Sequence, residues 1–163
     1  SKIEDFSFID GSIDAMKLLK DKGYMLVIVT NQSGIARGYY TEDEFHQLTE
    51  WMDWSLNDRG IELDGIYYCP HHPEKGIGEY KMTCDCRKPN AGMIHSAMQD
   101  LAIDNLQSYF VGDKLSDIQS GKAAKLKANY LVKTGKHICE EEGVADGIFN
   151  DLLSFATAIE SAK

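Results

Sequence analysis

Short apolar runs alternate with amphipathic helical segments along the 163 residues of this sequence. The run YMLVIVT, residues 24–30, is almost continuously apolar, which is typical of a strand buried on both faces of a parallel sheet. Shorter runs of the same kind follow at GIYYC (65–69), SYFVGD (108–113), ANYLVKT (128–134) and DGIFN (146–150). Because strands that alternate with helices form parallel sheets, the sequence predicts one α/β domain over residues 1–163.

The segments between these runs carry signals for helix ends. Thr41 and Glu44 have the spacing of a capping box, and the helix that they begin is predicted to end at Gly60. Ser116 is the predicted N-cap of a later helix, and the polar, glycine-containing stretch 31–40 is predicted to be a loop. The predicted helices are SIDAMKLLKDKG (12–23), 41–60, GMIHSAMQDLAI (92–103), SDIQSGKAAKL (116–126) and DLLSFATAIESAK (151–163).

The charge and the cysteine pattern restrict the classes of function. A formal net charge of -9 argues against a general nucleic-acid binder, although local cations in a cleft can still bind a small anionic substrate. No apolar run has the length of a membrane span, and we expect no signal peptide. Four cysteines, three of them in one segment, favour a reducing compartment over a disulfide framework. We therefore expect a cytoplasmic monomer without a nucleic-acid or membrane partner.

Three cysteines and a histidine form two closely spaced pairs in the segment 69–86. Cys69 and His71 are two residues apart, as are Cys84 and Cys86. Thiolates and imidazole are the ligands that tetrahedral zinc prefers, and three cysteines with one histidine form a closed structural set. The segment is too polar to fold around a core of its own, so a metal ion would fix its conformation. We predict a structural zinc site, because four protein ligands leave no open position for catalysis.

The same cysteines are also compatible with two arrangements that need no metal. Cys84 and Cys86 could form a disulfide, although a bridge between residues two apart is strained. The thiols could also be inert buried side chains, although charged residues flank them. His72 competes with His71 as the imidazole ligand, and we prefer His71 because Cys-x-His then mirrors Cys-x-Cys. Cys139 lies far from the cluster in an acidic segment and is interpreted as a small side chain only.

Polar residues follow two of the predicted strands at the point where each strand ends. Thr30 ends the first strand and precedes Asn31, Gln32 and Ser33, whose hydroxyl, amide and backbone N–H groups can hold phosphate oxygens. Asp113 ends a later strand, where a carboxylate is costly unless it binds a cation such as Mg²⁺. Because ligands of parallel sheets bind at the carboxyl ends of the strands, these residues indicate a phosphate site.

Arg87 and Lys88 follow the cysteine segment directly. A lysine there can neutralise a transferred phosphoryl group, and an arginine can bind a second anion with two hydrogen bonds. Each of these features also fits an ordinary structural role: a turn residue after a strand, a helix cap after Gly-Asp, or a solvated pair of cations. Their joint occurrence on alternating strands favours the phosphate site over those roles.

Several motifs resemble a known family. VIVTNQSG, CRKP and FVGDKLSD resemble the second, third and fourth motifs of the haloacid dehalogenase (HAD) superfamily phosphatases. The longer stretches TNQSGIARGYYTEDEF, DGIYYCPHHPE, CDCRKPNAGM and VGDKLSDIQSG resemble the zinc-loop branch that acts on heptose bisphosphates, and together they cover nearly the whole chain. The resemblance implies a HAD-like Rossmannoid three-layer fold with a parallel sheet, in which the zinc-binding loop 69–86 replaces a cap domain.

The resemblance also implies a role for each motif residue. The phosphoryl group would be held by Thr30 and Lys88, and Mg²⁺ by Asp113. Substrate contacts are implied for Asn31, Gln32, Ser33, Arg87 and Lys114, with Arg87 bound to the remote phosphate. Zinc would be held by Cys69, His71, Cys84 and Cys86. The implied reaction is Mg²⁺-dependent hydrolysis of the 7-phosphate of a heptose bisphosphate, a small-molecule substrate, in the supply of ADP-heptose for the lipopolysaccharide core.

One motif of the superfamily is not found in the sequence. It is an apolar strand that ends in D-x-D-G-T, with the nucleophilic aspartate first and the general acid and base second. FSFIDGS (6–12) comes nearest, but Phe8 occupies the nucleophile's position, so we assign Asp10 to helix initiation. We expect a truncated form of a longer enzyme that lacks the central first strand and is inactive by itself. The strands that end at Thr30 and Asp113 would then face a gap.

Two other functions stay open. A histidinol-phosphate phosphatase would share the zinc loop, but its substrate has one phosphate and would leave Arg87 without a role. A zinc-stabilised binding module without catalysis would account for the missing nucleophile, but it would not account for Thr30, Lys88 and Asp113. Asp117 could support the magnesium site or cap a helix, and both roles stay open.

Overall fold

The fold is described from a computed structural model over residues 12–133 and 145–162. Two assignments made from the sequence, helix initiation by Asp10 and the small side chain of Cys139, lie outside these ranges. The helices are α1 (Ser12–Asp21), α2 (Ser33–Ala36), α3 (Glu42–Asp58), α4 (Gly92–Leu101), α5 (Leu115–Ala123) and α6 (Leu152–Ala158). The strands are β1 (Val27–Asn31), β2 (Gly65–Cys69), β3 (Tyr109–Gly112), β4 (Ala128–Val132) and β5 (Gly147–Phe149).

The five strands pair in parallel, which confirms the predicted α/β fold. β1 pairs with β2, and β3, β4 and β5 form a second sheet in that order. β1 and β3 are edge strands, and every residue of both is partly exposed. Among the described residues, no strand is paired with the second edge of either β1 or β3.

The two sheets share a hydrophobic core. Val29 of β1 and Phe110 of β3 both pack on the cluster formed by Ala91, Ile94 and Ala124. Both edge strands therefore contact one hydrophobic cluster near α4 and α5. Two further clusters complete the core, one between α1 and α6 and one beneath α3.

The start of α3 confirms the predicted capping box. Thr41 Oγ1 accepts the Glu44 N–H at 3.0 Å, and a Glu44 carboxylate oxygen accepts the Thr41 N–H at 3.0 Å. α3 ends at Asp58, and Gly60 follows with a φ of 78°, a left-handed conformation that suits glycine. α3 thus has a well-defined beginning and end, and it lies between β1 and β2 in the sequence.

Three details of the sequence interpretation were wrong. The predicted loop 31–40 contains the short helix α2. Ser116 lies inside α5 instead of capping it, because the Asp117 carboxylate accepts the Lys114 N–H at 3.2 Å and the N-cap is Lys114, two residues earlier. The first strand starts at Val27, because Asp64 Oδ2 accepts the Leu26 N–H at 2.7 Å.

No helix within the described ranges is long and apolar enough to cross a lipid bilayer.

Candidate metal centre and phosphate-binding edge

The structure brings the four proposed zinc ligands together. The Cys86 Sγ lies 2.6 Å from the Cys69 Sγ and 3.1 Å from the Cys84 Sγ. The His71 Nδ1 lies 3.5 Å from the Cys86 Sγ and 3.7 Å from the Cys69 Sγ. One donor atom from each residue lies within 4.8 Å of all the others. The three cysteines are free thiols, so the alternative of a Cys84–Cys86 disulfide is not what the structure shows.

The donor set fits a zinc ion. Three thiolates at about 2.3 Å from a tetrahedral zinc are about 3.8 Å apart. The sulfur atoms, now 2.6 to 3.4 Å apart, would therefore have to separate by roughly 0.4 to 1.2 Å to bind it. Burial raises the pKa of Cys69 and of Cys86. Burial acts in the same direction on Cys84, but hydrogen bonds to Cys86 and Cys69 outweigh it and lower the Cys84 pKa to about 7. Metal binding therefore has to displace protons from the thiols, since zinc binds the thiolate form.

His72 has a different role from His71. Its Nδ1 accepts the N–H groups of Glu74 and Lys75 at 3.1 and 2.9 Å, so the ring stabilises the turn at the start of the metal loop, residues 69–86. The donor group described above contains His71 and leaves His72 out. This placement agrees with the preference for His71 that the sequence spacing suggested.

Glu42 holds the metal loop against α3. Its two carboxylate oxygens accept hydrogen bonds from the hydroxyls of Tyr68 and Tyr80, each at 2.6 Å. Tyr68 directly precedes Cys69 in β2, and Tyr80 belongs to a short 3-10 helix within the metal loop. The hydrogen bonds from both tyrosines lower the pKa of Glu42, and the same contact raises the pKa of Tyr80 to about 12.

Asp117 organises the other side of the site. Its Oδ1 lies 2.5 Å from the Lys88 Nζ, and its Oδ2 accepts the N–H groups of Asp113 and Lys114 at 3.1 and 3.2 Å. The side chains of Lys88 and Asp117 are 12% and 5% exposed, so the ion pair is largely shielded from water. Gly112 leaves room for this carboxylate, since a Cβ at that position would overlap it. The lysine is thereby attached to the loop that follows β3.

Asn31 attaches the same lysine to β1. The Asn31 Oδ1 accepts the Lys88 N–H at 3.0 Å, and the Asn31 Nδ2 donates to the Lys88 carbonyl at 3.4 Å. Lys88 therefore lies between the end of β1, where Thr30 precedes Asn31, and the loop after β3 that begins with Asp113. We call Thr30, Lys88 and Asp113 the proposed phosphate-binding edge. Two side chains, Asn31 and Asp117, hold Lys88 in this position.

The remaining predicted substrate contacts lie around this edge. Ser33 is the first residue of α2, and Lys114 is the N-cap of α5. Each lies two residues after an edge strand, β1 and β3 respectively. The Arg87 Nη1 donates to the His71 carbonyl at 3.3 Å, which places the guanidinium against the metal loop. The Gln32 Nε2 donates to the Thr30 Oγ1 at 3.0 Å, so this amide contacts a site residue directly.

Two residues of the site were missed or left open by sequence reasoning. Asp117 was unassigned, although its position four residues after Asp113 could have indicated a shared loop. The hydroxyl of Tyr40 donates to the Gln32 Oε1, and no spacing or motif in the sequence signals that contact.

The chain is similar to proteins of known name. A HAD-hydrolase-like family model matches residues 85–154. The D-glycero-beta-D-manno-heptose-1,7-bisphosphate 7-phosphatase of Haemophilus influenzae is 56% identical over 163 residues, 99% of this chain and 88% of that protein. The enzyme of the same name from Pasteurella multocida is 63% identical over 140 residues, 86% of this chain and 76% of that protein.

Solved structures agree with the sequence relatives. The D,D-heptose 1,7-bisphosphate phosphatase from B. bronchiseptica, crystallised with magnesium and phosphate, superposes with a TM-score of 0.76 at 28% identity. The match covers 95% of this chain and 84% of that chain. The HAD-like fold and the phosphatase class that the motifs implied are confirmed. The chain belongs to the D-glycero-β-D-manno-heptose-1,7-bisphosphate 7-phosphatase family of HAD-like phosphomonoester hydrolases.

Proposed function

We propose that this protein removes the 7-phosphate from D-glycero-β-D-manno-heptose 1,7-bisphosphate. The observation that carries the proposal is the position of Lys88, which is paired with Asp117 and held at its backbone by Asn31, beside the end of β1. A buried ammonium group fixed by its surroundings stabilises negative charge far better than one in water. The product would enter the supply of ADP-heptose for the lipopolysaccharide core.

The transferred phosphoryl group would be bound by Thr30 and Lys88. Asp113 would hold Mg²⁺, since its carboxylate follows β3 and Mg²⁺ is commonly bound by one or two carboxylates together with substrate phosphate. When bound, the metal ion neutralises charge on the phosphoryl oxygens. The zinc in the metal loop would be structural, because its four protein ligands complete a tetrahedron.

The second phosphate of the substrate would be bound by Arg87. Its guanidinium lies beside the metal loop and donates to the His71 carbonyl through Nη1. Arginine can bind a phosphate with two parallel hydrogen bonds, which lysine cannot do. The metal loop would therefore select a bisphosphate by holding the residue that binds the retained phosphate.

The phosphoryl acceptor would be carried by a strand seated between β1 and β3. Both edge strands have an unpaired edge among the described residues, both are partly exposed, and both contact the cluster of Ala91, Ile94 and Ala124. Unpaired backbone groups between two such strands are costly, and one more parallel strand would satisfy them. A carboxylate at its end would stand beside Thr30 and Lys88, in reach of the bound phosphoryl group.

The test compares two polypeptides and three ligands. The 163-residue chain and a version extended by an apolar strand ending in Asp-x-Asp are assayed with the heptose bisphosphate, the heptose 1-phosphate and histidinol phosphate. We expect both polypeptides to bind the bisphosphate with Mg²⁺, and the extended version to release only its 7-phosphate. Equal turnover of histidinol phosphate would contradict the proposed specificity, and phosphate release by the unextended chain would contradict the proposed acceptor strand.

We further propose that the protein acts as a monomer in the cytoplasm. Three free thiols gathered at one site are stable in a reducing compartment, where disulfides are rare. A net charge of -9 does not favour binding to nucleic acid or to an anionic membrane surface. Sedimentation of the purified chain at several concentrations tests the monomer, because an oligomer would sediment faster as the concentration rises.

A further inference from the structure

The Thr30 hydroxyl ends a chain of three hydrogen-bonded side chains. The Gln32 Nε2 donates to the Thr30 Oγ1 at 3.0 Å, and the Tyr40 hydroxyl donates to the Gln32 Oε1. The Gln32 backbone is fixed as well, because its N–H donates to the Cys69 carbonyl at 2.8 Å. The side-chain amide of Gln32 is therefore held at its oxygen by Tyr40 and at its nitrogen by Thr30.

The direction of these hydrogen bonds decides where the Thr30 proton can point. A hydroxyl has one proton to donate, and it accepts hydrogen bonds through its lone pairs. Since the Gln32 amide donates to the Thr30 oxygen, the Thr30 proton must point to another acceptor. In the structure that acceptor is the Asn31 carbonyl at 3.4 Å, which is long for a hydroxyl donor. A phosphate oxygen is a charged and stronger acceptor, so it would replace this contact.

Tyr40 is well suited to fix the orientation of the Gln32 amide. Burial raises the pKa of its hydroxyl, so the group stays a hydrogen-bond donor through the neutral pH range. Its ring packs on Gly34, where an added Cβ would overlap the ring atoms. Because glycine has no side chain, position 34 leaves the space that the Tyr40 ring occupies.

We propose that Tyr40 is a positioning residue that acts through Gln32 to turn the Thr30 proton toward the bound phosphate. Without the Tyr40 hydroxyl, the Gln32 amide is free to rotate and present its oxygen to Thr30. The Thr30 proton would then be donated to Gln32 and lost to the phosphate. This inference rests on the proposed function, in which Thr30 binds the phosphoryl group.

The test measures the affinity of the 163-residue chain for inorganic phosphate with Mg²⁺ by calorimetry. Tyr40→Phe keeps the ring on Gly34 and removes only the donor, so we expect phosphate binding to weaken by roughly threefold to tenfold. In a Gln32→Ala background, Tyr40→Phe should have no further effect, because the contact through which it acts is gone. Tyr24→Phe is the matched control, since its hydroxyl donates to the Glu160 carbonyl. The phosphate affinity of Tyr24→Phe should stay unchanged.

The outcomes separate this inference from the proposed function. Normal phosphate affinity in Tyr40→Phe would overturn the role of Tyr40. So would a loss of phosphate affinity on Tyr40→Phe that is as large in the Gln32→Ala background as in the unsubstituted chain. Thr30→Val removes the hydroxyl at constant shape, and normal binding by that variant would contradict the proposed function itself. Weak binding by Thr30→Val together with normal binding by Tyr40→Phe would contradict only the positioning role. If the unsubstituted chain does not bind phosphate, both are contradicted.

Discussion

Asp117 and Lys88 form a shielded ion pair, with 2.5 Å between the carboxylate Oδ1 and the ammonium nitrogen. The other carboxylate oxygen of Asp117 accepts the N–H of Asp113 at 3.1 Å. One side chain therefore sets the position of the lysine and of the loop that would hold magnesium. The pair connects two segments 29 residues apart in the sequence.

Asp117→Asn should destabilise the protein, because it leaves the Lys88 charge buried without a partner. Removal of one member of a buried ion pair typically lowers the free energy of unfolding by about 3–5 kcal/mol. Urea unfolding measures the loss. The double variant Asp117→Asn with Lys88→Met should recover part of it, since no unpaired charge then remains. An unfolding midpoint of Asp117→Asn equal to that of the unsubstituted chain would show that the pair contributes little.

Lys88→Met should abolish most of the turnover in the version of the chain that carries the acceptor strand. Loss of a preorganised charge of this kind typically slows catalysis by about 10²–10³-fold. Steady-state kinetics with the heptose bisphosphate measures the effect. Lys122→Met is the matched control, since Lys122 is exposed in the last turn of α5 and should not affect turnover. Turnover within twofold of normal in Lys88→Met would remove the lysine from the proposed mechanism.

The chain should bind one zinc ion, and Cys84→Ser should lose it. Cys84 is one of the four donors that lie within 4.8 Å of one another, and loss of one thiolate leaves the tetrahedron incomplete. Elemental analysis measures the zinc content, and thermal unfolding measures the lost stability, since structural zinc contributes directly to folding. The control is Cys139→Ser, because the sequence assigns no ligand role to Cys139. Full zinc content in Cys84→Ser would contradict the proposed ligand set.

Arg87→Ala should weaken binding of the heptose bisphosphate more than binding of the heptose 7-phosphate. The bisphosphate alone carries the phosphate that the guanidinium would bind, and a charge-assisted hydrogen bond contributes about 1.5–3 kcal/mol. Calorimetry with both ligands gives the ratio of affinities. Arg59→Ala, just after α3, serves as the control, since the Arg59 Nη1 donates to the Ser55 carbonyl. An equal loss for both ligands in Arg87→Ala would assign Arg87 to the transferred phosphate instead.

The contribution of Glu42 to stability should disappear in acid. The hydrogen bonds from Tyr68 and Tyr80 lower the Glu42 pKa, so the folded state binds a proton at this position less readily than the unfolded state. Stability from such a group is fully present above its ordinary pKa and is lost as the pH falls through the lowered value. The difference in melting temperature between the unsubstituted chain and Glu42→Gln should therefore shrink from pH 6 to pH 3.

The matched control for this pH series is Glu50→Gln, which changes an exposed glutamate on the same helix. The difference in melting temperature between Glu50→Gln and the unsubstituted chain should stay nearly constant from pH 6 to pH 3. A constant difference for Glu42→Gln as well would show that the two tyrosines do not stabilise the ionised carboxylate.

Local features of the fold followed the sequence closely. The capping box of Thr41 and Glu44 formed as predicted, because its two hydrogen bonds connect residues only three apart. The N-cap of α5 was predicted two residues late, at Ser116 instead of Lys114, because a carboxylate from the first turn binds the backbone in place of the hydroxyl. The helix α2 was missed, because four residues are too few to show a periodic pattern.

The sequence by itself determined the alternation of strands and helices, and the spacing of Cys69, His71, Cys84 and Cys86 was enough to predict the candidate metal ligands that the structure brings together. Both depend on side-chain chemistry at fixed separations along the chain. Only the tertiary structure decided which distant side chains hold these parts in place. Glu42 meets Tyr80 across 38 residues, and Asn31 meets Lys88 across 57 residues. Such pairs form because packing of the helices on the sheets brings their backbones together, and no sequence separation encodes that distance.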